Sequence, residues 1–152
     1  MARGNLEQVH QMSQLAMLLA VAVDSGLSLV SAIHETFSRA EGQVPSKFKR
    51  LLTALELGGN LFDELDALRR SAGNGPVVDL VIKLQVSLQF GSPISRQLMD
   101  FSQSLRQQLA QSQLSAASKK ENLMLLPLVF LILPVTVLFA VFPAIEYLKI
   151  TY

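Results

Sequence analysis

A chain of 152 residues is about one domain long and large enough to close a core of its own. Half of it is hydrophobic, 16% is charged and the net charge is +1, which excludes a disordered chain and leaves no concentrated basic face of the kind nucleic acid recruits. The absence of cysteine excludes disulfides, thiolate catalysis and sulfur-ligated zinc, and two isolated histidines offer no metal site.

Along the chain the apolar residues recur at helical spacing, with no period-2 strand. Val9, Met12, Ala16, Leu19 and Val23 form a first stripe, and Leu29, Val30, Ile33 and Phe37 a second. Leu15 to Val23 has the length of a signal-peptide apolar region. However, the residues before it set Arg3 against Glu7 and lack the positive bias such a peptide needs, so the segment reads as part of the fold. Phe48, Leu51, Leu52 and Leu55 make a third stripe, entered at Pro45 and Ser46, and Leu61, Leu65 and Leu68 a fourth. Val77, Val81, Leu84 and Leu88 supply the fifth, and Ile94, Leu98, Phe101, Leu105 and Leu109 the sixth. Gly26 with Ser28, Gly58-Gly59-Asn60, Gly73-Asn74-Gly75-Pro76 and Gly91-Ser92-Pro93 punctuate these stripes as helix stops and starts.

Aligned on Gly26, Gly58 and Gly91, the chain repeats every 32 to 33 residues. Seven positions before each glycine stands Leu19, Leu51 or Leu84, and seven after stands Ile33, Leu65 or Leu98. Three before and three after are Val23, Leu55, Leu88 and Leu29, Leu61, Ile94. Each repeat is therefore a helix, a tight glycine turn and a second helix. Three such αα-hairpins predict an all-α, six-helix antiparallel bundle over residues 1–120, its last helix extended by a polar, solvated stalk from Gln103 to Lys120.

Leu123 to Ile145 carries no charge and only Thr136 as a polar side chain. At about 1.5 Å per residue it matches a hydrocarbon core of roughly 30 Å, which predicts a C-terminal transmembrane helix over 121–147 and a short tail at 148–152. Pro127, Pro134 and Pro143 are tolerated in such a helix; Pro127 and Pro134, seven apart, either mark a packing face or simply bend it. Lys119 and Lys120 stand before the span and Lys149 beside Glu146 after it, so the positive-inside bias places the bundle in the cytoplasm and the C-terminus outside, with Tyr147 and Tyr152 at the far interface.

No constellation supports catalysis. The glycine-rich pieces around Gly58 and Gly73 lack the Lys-Ser/Thr of a phosphate loop and the strand of a dinucleotide fold, so no cofactor is expected. His10 and His34 read as surface or boundary residues, and Asp63, Glu64 and Asp66 suit the start of a helix electrostatically. Lys47, Lys49 and Arg50 open the third helix, where the dipole does not favour cations; with Lys119 and Lys120 they form a basic set that faces lipid headgroups, an acidic partner or simply solvent.

The AVDSGLSLVSAI opening, the Glu56-Leu-Gly-Gly turn followed by Leu65, Leu68 and Arg69, Asp79-Leu80 leading to FGSPISRQL, and Leu105-Arg106 ahead of a Lys-rich entry into a Pro-containing membrane helix carry a resemblance. From Leu15 to Ile145 the chain resembles the F domain of type II secretion and type IV pilus platform proteins, most closely the tight-adherence (Tad) pilus branch. The resemblance implies a non-enzymatic inner-membrane platform that couples a cytosolic secretion ATPase to pilin extraction and pilus assembly. It implies as partners that ATPase, pilin, the membrane and a second platform subunit, in a homo- or hetero-oligomer. It makes Gly26, Gly58, Gly59 and Gly91 turn positions, and Glu56, Arg69, Asp79 and Arg106 polar positions of the family pattern, with partner contact or internal pairing as their roles. Members usually carry a membrane segment upstream of the bundle, whereas this chain starts almost directly at its first helix; it is then a truncated piece or a short member completed by a second subunit. The competing expectation is a tail-anchored helical adaptor that binds a partner helix or peptide in a groove.

Overall fold

The computed structural model describes the backbone of residues 2–151 and the side chains of 3–116 and 126–151. Six helices follow one another among the described residues: α1 (Ala2–Asp24), α2 (Leu29–Ser38), α3 (Gln43–Glu56), α4 (Leu61–Ala72), α5 (Pro76–Phe90) and α6 (Ile94–Thr151). By packing, the chain divides into a unit Met1–Ala110 and a unit Gln111–Tyr152. The first unit is an all-α bundle, and the second contains an apolar helical segment, Leu126–Thr151, long enough to cross a membrane.

In the first unit α1 is the axis. It packs against α2, α3 and α5, and consecutive helices from α1 to α5 pack side by side. A central helix must be apolar on more than one face and slender enough for close approach. The stretch from Met12 to Ala20 supplies both properties: Met12, Leu15, Ala16, Leu19 and Ala20 are all buried, and the two alanines admit neighbouring backbones. The apolar run that mimics a signal sequence is thus the middle of the core.

The 32-to-33-residue repeat becomes a physical layer. Leu19, Leu51, Leu84, Ile33, Leu65 and Leu98, the positions seven residues either side of the three glycines, are all buried. The positions three residues away lie one turn nearer the open end and are only partly covered, as Val23, Leu29, Leu55, Leu61 and Ile94 are. Two residues assigned to the stripes depart from this pattern: Val30 is 41% and Leu88 42% exposed, because a helix of one bundle layer buries a narrower arc than the stripes assume. Phe37 and Phe48 stack with centroids 3.9 Å apart and join α2 to α3.

The helix boundaries are set by local chemistry. Ser28 caps α2 by accepting from the Ser31 N–H, and Asn60 caps α4 by accepting from Phe62 and Asp63. Gly91 ends α5 in the left-handed conformation at φ 63°, its N–H donating to the Ser87 carbonyl. The third helix starts earlier than Pro45-Ser46 suggests. It begins at Gln43 after Gly42, because the Gln11 side chain accepts the Val44 N–H at 3.3 Å and Gln8 donates to Gln43 at 3.0 Å. A side chain from α1 therefore does the capping that the local sequence does not.

α6 enters the bundle by side chains rather than by close backbone approach. Leu98, Phe101 and Leu105 are buried, and the buried Ser102 hydroxyl donates to the Ser13 carbonyl of α1 at 2.7 Å. Lys83 of α5 lies over the Phe101 ring, 5.5 Å from its centroid. Pro127, Pro134 and Pro143 all lie inside α6.

Candidate functional site

Short turns join α1 to α2, α3 to α4 and α5 to α6, so alternation of direction brings the three glycine turns to one end of the bundle. Gly26, Gly58 and Gly91 all have positive φ. Gly59 does not, but a Cβ there would sit 2.8 Å from the Ala54 carbonyl oxygen, so close backbone approach selects glycine. The four turn glycines therefore shape this end for two different reasons.

His34 Nε2 meets Glu56 Oε1 at 3.0 Å and ties the middle of α2 to the last residue of α3, at this end of the bundle. A shallow groove beside the pair is lined by Leu27, Val30, Leu55 and Glu56. Leu57 and Phe90, each next to a turn glycine, are 84% and 76% exposed. This end is acidic and apolar-tipped.

Of the four polar family positions, two have internal partners. Glu56 holds His34, and Arg69 donates to Asp66 through both Nε and Nη2, the shorter contact being 2.6 Å. Arg70 reaches the other Asp66 oxygen at 3.4 Å. The Arg69 hydrogen bond, with Arg70 and a Gln85 hydrogen bond adding to it, outweighs partial desolvation and holds the Asp66 carboxyl below its ordinary value. Asp79 and Arg106 are exposed and form no ion pair among the described residues. Asp79 borders a shallow groove between α5 and α6 together with Lys83, Ser104 and Gln108.

Lys47 and Lys49 lie in the half of α3 away from the glycine turns, Arg50 lies near its middle, and none of the three makes an ion pair among the described residues. Lys47 and Arg50 flank a small cleft between α3 and α4 with Glu64 and Ser71. The side chains of Lys119 and Lys120 lie outside the described residues. Local spacing points to this cluster and also carries the pairing of Asp66 with Arg69 and Arg70, three and four residues on in the same helix; the pairing of His34 with Glu56 has no such signal, because it joins residues 22 apart.

The apolar segment Leu126–Thr151 is 26 residues long, and its side chains are exposed throughout within its own unit. A helix of that length spans roughly 39 Å, enough to cross a hydrocarbon core with some tilt. Its exposure identifies it as something other than a soluble core helix, which would be covered.

A six-helix bundle leading in sequence into one apolar, membrane-length segment defines a membrane-anchored helical scaffold. The family model for the type II secretion system (T2SS) protein F matches residues 15–142, from within α1 through the rest of the bundle and most of the apolar segment. The chain belongs to this family. Its members are inner-membrane, non-enzymatic platform proteins of secretion and pilus machines and work there with an ATPase and other partners. No curated protein and no solved structure matches the chain.

Proposed function

We propose that this chain is a platform subunit of a tight-adherence-type pilus machine. Residues 1–120 lie in the cytoplasm, 121–147 cross the inner membrane and 148–152 emerge outside. In this reading the bundle receives motion from the cytosolic secretion ATPase and passes it to pilin extraction, with a second platform subunit completing the membrane part. The observation that carries it is the family match running without a break from the bundle into the apolar segment, since the coupling requires both on one chain. Asp79 and Arg106 are the better partner contacts of the four polar positions. Glu56 and Arg69 already have internal partners.

The test is affinity co-purification of the detergent-solubilised chain with the secretion-type ATPase and the platform subunit encoded beside it. Stable recovery of either, lost in an Asp79→Lys, Arg106→Glu double variant that still folds by circular dichroism, supports the reading. Clean recovery of a lone monomer moves the chain to the tail-anchored adaptor class.

A further inference from the structure

Residues 1–110 hold equal numbers of acidic and basic residues, ten of each, yet they are separated along the bundle axis. Toward the glycine turns stand Asp24, Glu56, Asp63, Glu64 and Asp100, against Arg96. Toward the other end, where α6 reaches Ala110, stand Arg3, Arg39, Lys47, Lys49, Arg70 and Arg106, against Glu7, Glu41 and Asp79. Arg50 lies near the middle of α3 on the basic side of its run.

Helix electrostatics explains only part of this separation. Acids at the start of α4 and arginines at its end suit the dipole. α3 runs the other way, with three cations in or beside its first half and its one acid, Glu56, as the last residue. That arrangement opposes the dipole and repels itself, so folding does not select it. Arg39 pairs with Glu35 at 3.0 Å, and Arg69 and Arg70 share the single negative charge of Asp66. Lys47, Lys49 and Arg50 form no ion pair among the described residues; Arg50 stands on the outward side of α3 with the half-buried Lys47 and the exposed Lys49 on its two flanks, and Glu64 borders the cleft that Lys47 and Arg50 line.

We infer that this α3 face docks on anionic phospholipid headgroups at the surface of the membrane that the chain itself enters. The inference rests on the membrane-anchored reading above, and the occupant follows from charge complementarity on a chain that carries its own membrane-length segment. Two terms orient the bundle: three cations attract the anionic leaflet, and the acidic glycine-turn end is repelled by it. Each cation near such a surface changes the docked-to-undocked ratio about fivefold, so three are worth on the order of 100-fold, and the effect fades within a Debye length as salt rises.

The chain has no cysteine, so single labels are introduced cleanly. Full-length chain carrying Ser46→Cys beside the basic cluster, or Ser25→Cys at the glycine-turn end, is spin-labelled. It is then placed in nanodiscs of phosphatidylcholine alone or with phosphatidylglycerol, doped with a nickel-chelating lipid. Co-elution with discs reports the membrane segment; relaxation of the label by the lipid-bound nickel reports docking. The expected result is strong relaxation at Ser46→Cys in anionic discs only, little at Ser25→Cys, and loss at Ser46→Cys in a Lys47→Gln, Lys49→Gln, Arg50→Gln variant or at high salt. Equal relaxation at both ends, indifference to lipid charge, or a charge-dependent self-association of the chain without relaxation overturns the inference while leaving the anchored reading intact. Failure to co-elute with discs overturns both.

Discussion

Asp66 is the residue on which most local charge converges. Its carboxylate accepts from Arg69 and lies within reach of Arg70, and its acidity is raised chiefly by the Arg69 hydrogen bond. A group whose folded pKa is depressed contributes stability that is complete above its ordinary value, here 3.8, and is lost as pH falls through the lowered folded value. Wild type is therefore expected to outlast an Asp66→Asn variant in urea at neutral pH, and the difference should shrink toward zero as pH falls through the lowered folded value. A constant difference across that range would show that the substitution acts through packing. Ser102 makes a different kind of contact. Its buried hydroxyl pins α6 to α1, and Ser102→Ala removes a hydrogen bond worth about 1 kcal/mol, to be read from the urea midpoint.

At the scale of the element, burial decides which positions are costly to change. Leu84 is fully buried in the layer that the three repeats share, so Leu84→Ala should lose about 2–5 kcal/mol; Leu88, one turn along the same stripe and 42% exposed, should lose far less when changed in the same way. Comparable losses at the two sites would mean that the repeat, not the observed burial, describes the core. The spacing of leucines around the glycines made the six helices and their order legible, because each hairpin buries its apolar arc at helical period. The start of α3 was not legible. Its cap comes from Gln11, 33 residues away in sequence from Val44, and no local pattern encodes a partner at that distance. The same holds for the seam between α6 and α1, where Ser13 and Ser102 lie 89 residues apart and look like ordinary polar positions in their helices.

For the whole molecule, the apolar segment sets where the protein lives. An arginine near the middle of the span, as in Val137→Arg, should cost insertion about 2.5–3.5 kcal/mol and move much of the chain into the carbonate-extractable fraction. Full retention of that variant would point to a segment held by protein contacts and not by lipid. What the sequence alone determined is what depends on period, length and composition: helices rather than strands, three hairpins around Gly26, Gly58 and Gly91, and a membrane-length apolar run. These follow from interactions between near neighbours or from solvent preference, which a linear chain displays directly. Tertiary structure alone decided that α1 is the axis of the bundle, that Glu56 has an internal partner in His34, and that Lys47, Lys49 and Arg50 form no ion pair among the described residues. Each depends on which distant groups arrive within a few ångströms, because ion pairing falls off with separation and burial needs neighbours from other helices.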